Sequence, residues 1–118
     1  MNQSDIYKRR TKKLALEIIK LFRLFPKTEG AKISGRQILR SSTSVAANYR
    51  SVCRARSKAD FISKIGLVVE EADETVFWLE IIMEAEIFNG PVINPIYKEA
   101  NEILAIMAAS QITSKSNR

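Results

Sequence analysis

Histidine is absent from the 118 residues, and cysteine occurs once, at Cys53. Without histidine there is no imidazole general base and no His-based metal site. One cysteine excludes an intrachain disulfide and a thiolate metal cluster. Cys53 also has no obvious base to activate it. Its place on the helical wheel, beside an apolar face, predicts a buried small hydrophobe. The four glycines, Gly30, Gly35, Gly66 and Gly90, form no phosphate-binding loop. Glu70 and Glu74, or Glu80 and Glu84, stand at i, i+4, but di-iron bundles need Glu-x-x-His motifs and none occurs. These carboxylates read instead as a solvated or salt-bridged face. A non-enzyme with no metal and no cofactor is therefore expected. No apolar run reaches the roughly 18 residues of a membrane span. The start of the chain is basic and polar with no hydrophobic region behind it, unlike a secretory signal. A cytoplasmic protein with no membrane partner is the expectation.

What is present is enough apolar residue, 46% of the chain, to bury one core at a length typical of one domain. The net charge of +6 is divided unevenly. Residues 1–56 hold 14 Lys and Arg against three acids, a net +11, and residues 57–118 hold 5 against 10, a net −5. The first half suits an anionic partner, and the two halves also suit each other, within a chain or between subunits.

The periodicity predicts four helices and no strands, in a single domain over residues 1–118. Helix 1 is placed at Ile6–Phe25, with Leu14, Ile18, Leu21 and Phe25 on one face and Pro26 as its stop. Its basic first turns (Lys8, Arg9, Arg10, Lys12, Lys13) oppose the helix dipole, so this end is expected to fray or to be held by an anion. Helix 2 is placed at Gly35–Arg54, with Ser34 and Gln37 as a capping box and Ile38, Val45, Tyr49 and Val52 facing the core. Helix 3 is placed at Lys58–Phe88, capped by Ser57 with Asp60 and closed by Asn89-Gly90-Pro91. Its core stripe is Phe61, Ile65, Val68, Ala72, Val76, Leu79 and Met83. Helix 4 is placed at Pro95–Ile112, with Asn94 as N-cap and Ile96, Ala100, Ile103, Leu104 and Met107 inward. Residues 113–118 read as a frayed tail. Four amphipathic helices with short breaks specify an all-α, up-down antiparallel four-helix bundle.

Helix 2 carries the main functional signal. With Arg36 as zero, Arg36, Arg40, Arg50 and Arg54 fall at about 0°, 40°, −40° and 0°. The small residues Thr43 and Ala47 lie between them. The stripe runs about 27 Å, and a basic stripe without bulk lets a phosphate backbone approach. With Lys12 and Lys13 of helix 1 it forms a candidate nucleic-acid surface, of RNA or DNA. No aromatic lies between the arginines, so base stacking is not indicated. The same stripe suits a facing acidic helix.

Helix 3 offers a second surface. Leu67, Trp78 and Ile82 fall within an arc of about 60° away from the core stripe, and an exposed stripe that includes Trp marks an interface. Glu70, Glu71, Glu74 and Glu84 are interleaved with it. The candidate oligomer interface is Leu67, Trp78, Ile82, Glu71 and Glu74, with the carboxylates available to a basic surface on another subunit.

The run Leu39-Arg40-Ser41-Ser42-Thr43-Ser44-Val45-Ala46-Ala47-Asn48, then Arg56-Ser57-Lys58-Ala59-Asp60-Phe61-Ile62, resembles the bacterial four-helix bundle proteins first noticed as products of intervening sequences in 23S ribosomal RNA genes. Glu70-Glu71-Ala72-Asp73-Glu74, Trp78-Leu79-Glu80 and Phe25-Pro26 followed by Glu29 fit the same family, so the resemblance covers roughly residues 12–110. Where many members have Ile-Ala-Glu-Gly, this chain has Tyr49-Arg50-Ser51-Val52, which makes its second helix more basic. The resemblance implies a ring-forming homo-oligomer, a pentamer. It also implies kinship with the basic accessory protein of diversity-generating retroelements, a bundle that binds nucleic acid and a reverse transcriptase. Two functions follow. The first is a non-enzymatic accessory protein that binds nucleic acid through its basic surface, with a nucleic-acid-processing protein as a further partner. The second is a structural scaffold whose arginines pair with acids across subunits and which binds no nucleic acid.

Overall fold

A computed structural model describes residues 1–116. Four helices account for the architecture: α1 (Gln3–Phe22), α2 (Glu29–Val52), α3 (Lys58–Glu84) and α4 (Ile93–Ser116). None of the described residues forms a strand. Each helix packs on its neighbours in chain order, and α4 returns to α1, while the diagonal pairs stay apart. Tyr7 at the start of α1 meets Tyr49 at the end of α2, and Tyr97 early in α4 bonds Glu80 late in α3. Successive helices are therefore antiparallel, in the up-down order that short connections impose.

The core follows the wheels closely. Leu14, Ile18 and Leu21 of α1 are buried, as are Ile38, Val45, Tyr49 and Val52 of α2 and Ile96, Ala100, Ile103 and Met107 of α4. Five hydroxyl residues join them: Thr11, Ser34, Ser41, Ser42 and Thr75. Each reaches a carbonyl oxygen one turn back, which lets it be buried without an orphaned proton. Thr75 Oγ1 also lies 2.9 Å from Ser41 Oγ, which joins α3 to α2 through two small side chains.

The helix ends depart from expectation in instructive ways. α1 begins three residues early and does not lack a cap. Asn2 accepts from the Asp5 N–H at 2.9 Å, and Asp5 puts a negative charge in the first turn, which offsets the basic residues behind it. Its end comes at Phe22, so Phe25 lies beyond the helix and stacks on Phe88 instead. α2 begins at Glu29, capped by Thr28, whose hydroxyl oxygen accepts from the Ala31 N–H. Ser34 is thus no cap but a buried interior residue bonded to the Gly30 carbonyl. Gly35, expected at the helix start, lies in its interior because the Phe22 ring occupies the space a side chain would take. At α3, Ser57 caps as expected, accepting from the Asp60 N–H at 3.0 Å. The helix stops at Glu84, before Phe88. Glu86 adopts a left-handed φ of 56°, and the N–H groups of Glu86 and Ile87 turn back to the carbonyls of Met83 and Ile82, as in a Schellman motif. α4 starts at Ile93, which places Asn94 inside the helix, and it stays helical through Ser116 where a frayed tail was expected. Residues 117–118 of that tail lie outside the described residues.

Candidate functional site

The four arginines are all exposed, Arg36, Arg40 and Arg50 on α2 and Arg54 just past its end at Val52, where the helix was expected to continue, yet they do not form one site. Arg40, on the flank at about +40°, leans toward α3. Its Nη1 and Nη2 reach the Glu71 carboxylate at 2.8 and 3.2 Å, and Nη2 also meets Glu74. These bonds, to Glu71 first and then Glu74, hold the guanidinium pKa above its ordinary value. Two carboxylates within the chain therefore already balance the Arg40 charge. At nearly half exposure such a network contributes on the order of 1 kcal/mol or less to stability.

Arg50, on the opposite flank, leans toward α1. The antiparallel pairing sets the end of α2 beside the start of α1, so Arg50 and Arg54 meet Lys8, Arg9 and Lys12. Together with Cys53 these five cations line a cleft of about 330 Å³. Among the described residues, Arg9, Lys12, Arg50 and Arg54 have no ion pair, and Lys8 has only Asp5 at 3.5 Å. The carboxy-terminal end of α2 carries the negative pole of its dipole, which favours the two arginines there. Arg36 has no ion pair either, but it stands about 21 Å along the helix from Arg50 and does not line the cleft. Lys13 points elsewhere, 3.7 Å from Glu17. Arg10, on another side of α1, ties that helix to α4 through Glu99 and Glu102, and the Glu99 hydrogen bond chiefly raises its pKa.

Cys53 corrects an expectation. It is exposed, as the C-cap of α2 on the cleft side, and not buried. The wheel placed it beside the apolar face, but α2 ends at Val52, and Cys53, as its cap, opens onto the cleft. Tyr49 beneath is buried, and burial, then the neighbouring Cys53 thiol, push its hydroxyl pKa well above the ordinary value. Lys8 and Arg9 were visible as basic residues, but only the hairpin geometry joins them to Arg50 and Arg54. Antiparallel pairing of helices 1 and 2 was the signal that could have linked them.

The expected interface on α3 divides as well. Leu67 is 48% exposed, and Trp78 is half-buried with its ring edge-on to Phe77 at 5.1 Å. Ile82 is fully buried in the core and is no surface residue. α3 packs against both α2 and α4, so its buried arc is wider than one stripe: Ile62 and Ile82 enter the core while Phe61 and Met83 are left half-buried. Glu71 and Glu74, expected to meet another subunit, are bonded to Arg40 of their own chain. Among the described residues no group of three or more His, Cys, Asp or Glu side chains is placed to hold a metal, and no helix is long and apolar enough to cross a membrane.

Residues 2–109 match the sequence profile of the 23S rRNA-intervening sequence protein family. The chain belongs to this family. A similar solved structure is that of a protein of unknown function from the S23 ribosomal protein family of Bacteroides thetaiotaomicron. It is 31% identical, with a TM-score of 0.79 over 88% of this chain and 96% of the other. No match is found among curated proteins. The family and the fold thus agree.

Proposed function

We propose that this protein is a non-enzymatic accessory protein that binds nucleic acid through the cleft between the start of α1 and the end of α2. The observation that carries this reading is the convergence of Lys8, Arg9, Lys12, Arg50 and Arg54 with almost no carboxylate among them. Cations held together by two helices without internal partners keep a strong positive potential, which a polyanion relieves. Arg40 does not belong to this surface, since Glu71 and Glu74 balance it, and Arg36 and Lys13 are peripheral. Phosphate contacts of this kind position a strand with little sequence preference.

The test is a salt titration of RNA and DNA binding. If five cations contact phosphates, affinity for a single strand falls roughly a hundredfold between 50 and 200 mM salt. Arg50→Glu/Arg54→Glu should abolish most binding, whereas Arg40→Ala should leave it nearly unchanged. A bound strand should also shield Cys53 from alkylation. No binding at ~50 mM salt, or equal losses from the two variants, refutes the proposal.

A second reading concerns assembly. Phe77 is about half exposed with its ring edge-on to Trp78, and Leu67, about three turns earlier on α3, is equally exposed. Exposed apolar side chains along one helix, with a Trp among them, favour self-association, in line with a ring-forming homo-oligomer such as a pentamer. On this reading the scaffold role and the nucleic-acid role are compatible, because the Arg40 pairs are satisfied within each chain. Light scattering on Leu67→Glu/Phe77→Glu tests it: an unchanged mass, in the assembly or as a monomer, refutes this interface.

A further inference from the structure

The bundle end that carries the basic cleft also carries a second cavity, of about 480 Å³, lined among others by Tyr7, Tyr49, Phe61, Met107, Asn2 and Ser110. The two are next to each other. Tyr49 lines the cavity, and Cys53, one turn further on and bonded through its backbone N–H to the Tyr49 carbonyl, lines the cleft. Tyr7 stands edge-on to Tyr49, with centroids 6.2 Å apart, and the cleft residues Lys8 and Arg9 follow it directly in the chain. A single aromatic layer thus separates a basic groove from a pocket with aromatic walls and a polar rim.

We infer that this cavity receives one base of a nucleic-acid strand whose phosphates lie in the cleft, which makes single-stranded nucleic acid the ligand class. The inference rests on the phosphate-binding reading of the cleft and adds to it. The volume lies in the usual range of small-molecule pockets. Tyr7 and Phe61, both half-buried, offer ring surface for stacking, which every base accepts. Asn2 and Ser110 at the rim offer polar atoms to a base edge. A paired base is held in the duplex stack and reaches such a pocket only after unstacking. The cavity at the other end of the bundle, around Phe88 and Asn89, has no charged residue in its lining, so nothing there would hold a backbone. The aromatic residues are invisible as a platform in the sequence, because Tyr7, Tyr49 and Phe61 come from three different helices and Tyr49 lies on the face of α2 opposite its arginines.

The experiment compares four ligands of equal length at ~50 mM salt: single-stranded RNA, single-stranded DNA, duplex DNA and an abasic DNA strand. The chain should bind the base-bearing single strands roughly five- to a hundredfold more tightly than the abasic strand of equal charge. The RNA and DNA arms report which sugar is preferred. Ser110→Phe, which fills the rim, should erase that preference while leaving abasic binding intact. Phe61→Leu, which removes a stacking ring, provides the same test should the first variant misfold. Equal affinity for abasic and base-bearing strands, or a preference that survives in a folded variant, overturns the base pocket and leaves the phosphate cleft standing. Failure to bind any strand overturns both.

Discussion

Replacing Gly35 by alanine tests how closely α1 and α2 approach. A Cβ placed on Gly35 falls 2.0 Å from Phe22 Cε1 and 2.3 Å from Cδ1. Carbon atoms rest about 3.5–4.0 Å apart, so the Phe22 ring must move by roughly 1.5 Å. It is not free to do so without consequence, because it stands edge-on to Phe25, which stacks on Phe88. Overpacking of this kind costs about 1–3 kcal/mol, while alanine in a helix interior recovers up to about 1 kcal/mol of propensity. Gly30 supplies the control: it lies in the same helix, and a Cβ there would have nothing within 4 Å. Gly30→Ala should be neutral or mildly stabilising, and Gly35→Ala should lie about 1–3 kcal/mol below it, a gap of roughly 4–12 °C in Tm. Urea denaturation at fixed protein concentration measures both. Adding Phe22→Ala should erase the Gly35→Ala penalty. A Gly35→Ala protein as stable as Gly30→Ala, or a penalty that persists without the Phe22 ring, would refute the close approach.

Two further outcomes follow from burial and charge. Ile82→Ala should cost about 2–5 kcal/mol of folding stability, since Ile82 is fully buried, while the half-exposed Leu67→Ala should cost far less; a folded Ile82→Ala that merely loses its assembly would restore the surface reading of that residue. The Asp60 carboxyl is held below the usual aspartate range, first by the Arg56 backbone N–H and then by Lys64. Such a group adds stability above its unfolded-state pKa and loses it as pH falls through the lower folded-state value. Asp60→Asn should therefore be less stable than wild type at neutral pH and converge with it in acid, and a difference that stays constant through acid titration would refute the linkage.

The helices and most of the core were legible because they depend on local rules. The 3.6-residue period found Ile18, Val45, Leu79 and Ile103, and the Ser57 hydroxyl signalled a cap that forms. The errors lie where a second helix intervenes. Ser34 resembles a cap in one dimension, but Thr28 already starts the helix and α1 packs over the Ser34–Gly35 segment. The apolar period carries helix 3 on to Phe88, because Glu86 gives no sign in the sequence of its left-handed backbone.

The arginine stripe marks the division most clearly. The sequence alone determined that Arg36, Arg40 and Arg50 share one face of one helix, since helical geometry fixes the angles between them, while Arg54 lies just past the helix end. Only the tertiary structure decided their partners. A difference of about 80° around the wheel sends Arg40 to the carboxylates of α3 and Arg50 to the cations of α1. A wheel gives the direction of a side chain, and its electrostatic meaning depends on the charge of the helix that packs on that side.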